Sequence, residues 1–176
     1  MCIRDSPAQG FGTGNYPSTA LTLEMLEQFL LETDTLPESM LELGTGSEIL
    51  AIAACSMGIT KVTGLDIEAE AVEEVERNCE LNGLSGRIIG HVGQPSYLKK
   101  PAPLVISNML LSELFDIRLD LIRLISPGGT LICSGLVGKQ EEELRNSLTE
   151  MGFVYRASSE RENWNSIQFQ RFGKES

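Results

Sequence analysis

"LELGTGSEILAIAA", residues 41–54, joins two apolar runs through Gly44-Thr45-Gly46. "SMLELGTG" (39–46) reads as a short strand ending in glycines, and "EILAIAACSMG" (48–58) as a helix closed by Gly58, a residue suited to the position after a helix. "KVTGLD" (61–66) then reads as a second strand ending in an acid. Gly44 and Asp66 are 22 residues apart (66 − 44), close to the ~20 at which an acid meets a ribose in nucleotide-binding α/β folds. Glycines let a ligand approach the backbone, and the following helix points its positive end at it. An adenosine-type ligand is therefore expected across the carboxyl ends of these two strands, with the Asp66 carboxylate accepting the ribose hydroxyls. The plainer reading of Asp66 is a strand-end acid capping the helix that starts near Glu68.

Outward from this unit the hydrophobic period alternates between two and 3.6. "ALTLEMLEQFLLE" (20–32) is a helix with Pro17 and a hydroxyl cap near its start. Downstream, "EAEAVEEVERNCELNG" (68–83) is an amphipathic helix closed by Asn82-Gly83, and "GRIIGHV" (86–92) and "PLVISN" (103–108) are strands. A helix over 112–125 stops before Pro127-Gly128-Gly129, a strand covers 129–136 and a helix 139–152. Two last strands, 153–160 and 164–172, are joined by the short "RENW" turn and should run antiparallel. The expected fold is α/β: a mostly parallel, doubly wound, Rossmann-like sheet with a C-terminal antiparallel hairpin. Trp164 reads as a packing anchor for that hairpin rather than a substrate contact.

The 176 residues are 41% hydrophobic and 22% charged, which suits one soluble domain. Residues 1–9 read as a leader outside the domain, truncated or artefactual, and 10–176 as the domain itself. Met1 to Ser6 lack the apolar segment of a signal peptide, and no run approaches the ~20 residues of a membrane span. Four cysteines without a Cys-x-x-Cys, and one histidine, offer no zinc ligand set. Cys55 and Cys133 lie in apolar runs and read as buried free thiols of a reducing, cytoplasmic compartment. A formal net charge of −11 argues against direct nucleic-acid binding and favours a basic protein partner.

The glycine turn departs from the dinucleotide pattern, because Ile49 occupies the sixth position where Gly or Ala is needed. Glu42 ahead of Gly44-x-Gly46 fits methyltransferase loops better. "FGTGNYPSTALTLEML", "LELGTGSEILAIAA", "GLDIEAEAVEEVERNCELNG", "LVISNML" and "SPGGTLICSGL" occur in one order. Together they resemble the catalytic domain of PrmA-type methyltransferases, a class I S-adenosylmethionine-dependent fold, from about Gly10 to Trp164. The resemblance implies methylation of amino groups, of lysine or an N-terminus, on the eleventh protein of the large ribosomal subunit. It implies that Thr19, Gly44, Gly46, Asp66 and Asn108 bind S-adenosyl-L-methionine. Phe11, Gly12, Thr13, Gly14 and Tyr16 would form a substrate-side lid. Asn108 would also be catalytic, its amide oxygen accepting from the substrate amine and aiming the lone pair; the plainer readings are a strand-end turn for Asn108 and a helix cap for Thr19.

Three departures from the family pattern qualify these expectations. Glu48 stands where the third glycine of the loop is usual, and a carboxylate there can repel the cofactor's own. Tyr16 replaces a usual histidine and cannot become cationic near neutral pH. The family's N-terminal recognition domain has no counterpart in this sequence, so the expectation is cofactor binding with poor methylation of the ribosomal protein. A methyltransferase for another protein or a small molecule shares the fold and cofactor. A non-catalytic nucleotide-binding module, disabled by Glu48, is the alternative from another class.

Overall fold

The computed structural model describes residues 16–46 and 49–173. The elements alternate as the periodicity requires: α1 Pro17–Glu32, β1 Met40–Leu43, α2 Ile49–Ser56, β2 Val62–Asp66, α3 Ala69–Leu81 and β3 Ile88–Val92 come first. After a 3-10 turn at Pro95–Tyr97 follow β4 Ala102–Asn108, α4 Leu111–Leu124, β5 Ile125–Val137, α5 Gln140–Glu150, β6 Phe153–Arg161 and β7 Trp164–Arg171. The seven strands form one sheet in the order β3-β2-β1-β4-β5-β7-β6. The pairs from β3 to β5 are parallel, and β7 runs antiparallel to both β5 and β6. This is the class I methyltransferase type of sheet. The order of the chain reverses between β1 and β4, and in open α/β sheets that is where a ligand crevice opens.

Both faces of the sheet are covered, and the two-residue period assigns each side chain to one of them. Met40, Leu104, Ile106 and Ile132 pack with Leu26, Leu50, Val75 and Cys79 under α1, α2 and α3. Leu41, Leu43, Val105, Leu131 and Cys133 pack with Leu114, Leu121, Leu144 and Leu148 under α4 and α5. Each such leucine, fully buried, contributes roughly 1.5–3 kcal/mol. The hairpin closes the second core with Phe153 edge-on to Phe169, ring centroids 6.4 Å apart. Its tight turn places Glu162 and Asn163 at φ 52° and 68°, the geometry that matches the twist of two-residue hairpins.

Some boundaries differ from expectation. The hydroxyl cap of α1 is absent: Tyr16 is the N-cap without a side-chain capping bond, and Pro17 opens the helix. Ser18 already lies inside the first turn, where its carbonyl accepts the Thr22 hydroxyl at 2.7 Å. The fifth strand begins at Ile125 rather than 129, because Ile125 pairs with Ala102 ahead of a register shift. The first strand stops at Leu43, since Gly44 turns to φ +71°. Cys55 and Cys133 are buried free thiols as expected, and Cys79 is buried as well.

Candidate functional site

The carboxyl ends of β1, β2 and β4 open into a cavity of about 910 Å³. Its first wall is the glycine turn. Gly44 and Gly46 take φ +71° and +48°, left-handed values that side chains resist, and the N–H groups of Gly44 and Thr45 both donate to Leu65 O. The next N–H, of Gly46, donates to Asp66 Oδ2 at 3.0 Å. The other oxygen of Asp66 accepts the Glu68 N–H at 3.0 Å, ahead of α3. Both readings of Asp66 hold locally, since one carboxylate braces the glycine turn and starts the helix.

Behind the turn sits Glu42, which shares the α1–α3 face of β1 with Met40. It is 2% exposed. Thr45 folds back to donate its hydroxyl to Glu42 Oε2 at 3.1 Å. Room for that fold exists because Gly64, the ladder neighbour of Glu42, has no side chain: a Cβ there would lie 2.9 Å from Thr45 Oγ1. Burial pushes the Glu42 carboxyl up from 4.5 to about 8; the Thr45 hydroxyl and the Ala51 backbone pull it down, and the nearby Asp66 charge raises it further.

The opposite wall is built over longer distances. Asn108, the last residue of β4, donates its Nδ2–H to Thr19 Oγ1 at 3.2 Å. Ser107 donates to Leu43 O at 3.3 Å, tying the ends of β4 and β1. The Ser134 hydroxyl lies 3.1 Å from both Ser18 O and Asn165 O, joining α1, β5 and β7. Beside it the chain after β4 presses on β5 so closely that a Cβ on Gly135 (φ +87°) would sit 2.3 Å from Met109 O. The β5–β7 ladder shifts register at this point, between Cys133 and Leu136.

The charge on the walls is one-sided. Glu42 and Asp66 stand at the strand ends. Glu68, Glu70 and Glu74 line the α3 side, and Glu113, Asp116 and Asp120 the α4 side, Asp120 being paired with Arg123 at 2.6 Å. No lysine, arginine or histidine is among the described lining residues. Such a cavity disfavours a pyrophosphate and suits a ligand with positive charge, which the adenosylmethionine sulfonium and ammonium supply. The glycine turn, without side chains at Gly44 and Gly46, leaves open space for the adenosine end. The residues present fit that group.

Of the sequence-selected residues, Thr19, Gly44, Gly46, Asp66 and Asn108 all line this one cavity. Phe11, Gly12, Thr13, Gly14 and Glu48 lie outside the described residues. Tyr16 is described; it is 39% exposed at the start of α1 and is not part of the wall. Thr19 is not a helix cap, because its hydroxyl faces Asn108 and the N-cap is Tyr16. Trp164 lines the cavity from the start of β7, so it is more than a hairpin anchor. The α4 acids were missed, although their spacing, 113, 116 and 120, places them on one helical face. Among the described residues, no three histidines, cysteines or acids are grouped so that they could hold a metal ion.

Comparison with known proteins agrees with this geometry. A family model described as ribosomal protein L11 methyltransferase (PrmA) matches residues 1–172. A ribosomal protein L11 methyltransferase of Exiguobacterium sibiricum is 32% identical over 166 residues, 94% of this chain and 51% of that protein. The crystal structure of a ribosomal protein L11 methylase from Lactobacillus delbrueckii subsp. bulgaricus superposes with a TM-score of 0.87 at 27% identity, covering 97% of this chain and 85% of that one. An RNA methyltransferase from Salinibacter ruber, solved in complex with S-adenosyl-L-homocysteine, shares the fold: TM-score 0.69, 16% identity, 92% of this chain and 96% of that one. The chain spans about half the length of the curated relatives it matches.

Proposed function

This chain belongs to the ribosomal protein L11 methyltransferase family, and from that premise we propose that residues 10–176 form an S-adenosylmethionine-dependent protein N-methyltransferase domain. Its acceptors are lysine or N-terminal amino groups of a basic ribosomal protein, and its compartment is the cytoplasm. No described helix is long and apolar enough to cross a membrane. The observation that carries the reading is a glycine turn braced by Asp66 at the mouth of a cavity whose described charged lining residues are all acids.

Gly44, Gly46 and Asp66 hold the adenosine end, with the remaining lone pairs of Asp66 accepting ribose hydroxyls. Thr19 and Asn108 hold the reacting end. When bound, S-adenosylmethionine supplies a methyl group on a sulfonium, already a good leaving group. The task left to the protein is alignment, which provides most of the acceleration without a strong base. Because Asn108 gives its Nδ2–H to Thr19, its amide oxygen is the end that accepts an N–H from the incoming amine. A lysine amine, with a reference pKa of ~10.4, loses its proton more readily as the cavity desolvates it. The carboxylates of Glu113 and Asp116 attract basic side chains to the same opening.

Calorimetric titration of the chain with S-adenosylhomocysteine, beside Asp66→Ala, tests the cofactor reading; micromolar binding lost in the variant is expected. A folded sample that binds nothing overturns it. Transfer of label from methyl-labelled S-adenosylmethionine to ribosomal protein L11 or to lysine-rich peptides then identifies the acceptor, and label on neither would refute the acceptor class.

A further inference from the structure

Glu42 is a carboxyl group held in the cavity wall with no opposite charge beside it among the described residues. It is 2% exposed, and its partners are a hydroxyl, Thr45 Oγ1 at 3.1 Å, and the backbone of Ala51. The groups around it are uncharged or of its own sign. From β2 comes Asp66, and from β4 its ladder partner is Ile106, with neutral Asn108 two residues on. The described lining of the cavity holds no lysine, arginine or histidine. An ionised carboxylate enclosed in this way is strongly disfavoured and takes up a proton instead.

We propose that Glu42 is the proton-exchanging residue of this cavity: neutral when the cavity is empty near neutral pH, and ionised when a cationic ligand enters. The inference rests on the cofactor reading above, since it needs a ligand with fixed positive charge. The balance is simple. The carboxylic O–H breaks, the proton leaves to buffer, and the new carboxylate is compensated by the sulfonium or ammonium of the ligand. Its burial, which places its titration near pH 8 in the empty protein, supports the same assignment. Binding that releases a proton strengthens as pH rises, by up to about tenfold per unit below the free-state value, and levels off above it.

Isothermal titration with S-adenosylmethionine at pH 7, in phosphate and in Tris, reads the protons released from the difference in heat. The wild-type chain should release close to one proton per ligand. S-adenosylhomocysteine, which lacks the sulfonium, should release fewer. Glu42→Gln, a neutral isostere of the protonated form, should bind without that release. A wild-type pH series from 6 to 9 tests the same point without any variant, through the rise and plateau in affinity. Binding with equal heats in both buffers and no pH dependence overturns the proposal, as does an unchanged release in Glu42→Gln. Absence of binding by the folded wild-type chain overturns the cofactor reading itself, and this inference with it.

Discussion

On the β1–β2 side of the cavity the chain is held to itself over 20 residues, by a carboxylate that accepts two backbone N–H groups. On the β4 side Asn108 is held over 89 residues, by its one side-chain amide on one hydroxyl. The first arrangement is charge-assisted and tied to the backbone, so it fixes the shape of the loop. The second is neutral and links side chains on separate elements, so it sets the direction of a single amide. Hydrogen bonds to charged groups contribute about 1.5–3 kcal/mol, against about 1 for neutral ones. The turn side should therefore govern affinity, and the Asn108 side should govern rate.

The largest effect expected is on the turn side and concerns stability. Glu42 binds its proton more tightly in the folded chain (about 8) than at the ordinary value of 4.5. Its contribution is thus full below pH 4.5 and is lost as pH rises through 8. At about 1.4 kcal/mol per unit, the loss is bounded by about 5 kcal/mol. Glu42→Gln has no proton to lose. Chemical denaturation should show it gaining roughly 2–5 kcal/mol on the wild type between pH 5 and pH 9; a constant difference would mean that Glu42 is already ionised when folded.

Next comes Asp66→Ala, which removes the brace and the proposed ribose acceptor together. It should weaken S-adenosylhomocysteine binding about 100-fold or more by calorimetry, and a loss under tenfold would abolish the contrast between the walls. Gly135→Ala probes the far wall through its backbone. The added Cβ meets Met109 O at 2.3 Å with φ at +87°, and a loss of about 2–3 kcal/mol is expected in thermal melts. The smallest effect belongs to Thr19→Val, which takes away the acceptor of the Asn108 amide. Steady-state kinetics should show kcat falling about five- to tenfold with cofactor affinity changed less than threefold. Equal losses in both would place Thr19 in binding instead.

The same contrast explains what could be read from sequence. The turn wall is local: glycines, a strand, a helix and an acid at a fixed offset carry its geometry within one β-α-β unit. The fold followed for the same reason, as each element announced itself by its own period. That Asn108 meets Thr19 depends on α1 crossing to the ends of β4 and β5, and no local pattern encodes an 89-residue contact; only the family resemblance brought those residues together. Thr45 folding into the space beside Gly64 is equally hidden, since a glycine within a strand does not say which neighbour needs the room. The α4 acids were legible as a helical face, yet nothing in that helix indicates that the face borders a cavity.

The three buried thiols have a use in time-resolved work. Cys55 and Cys79 belong to the core under α1–α3, and Cys133 to the core under α4 and α5. Burial pushes the Cys55 and Cys133 thiols up, so neither reacts as a thiolate until its layer opens. With Cys2 replaced by serine, mass-resolved alkylation becomes a pair of clocks, one for each side of the sheet. Labelling of Cys55 and Cys79 ahead of Cys133 would mark the glycine-turn layer as the one that breathes first, and simultaneous labelling would mark a sheet that opens only as a whole.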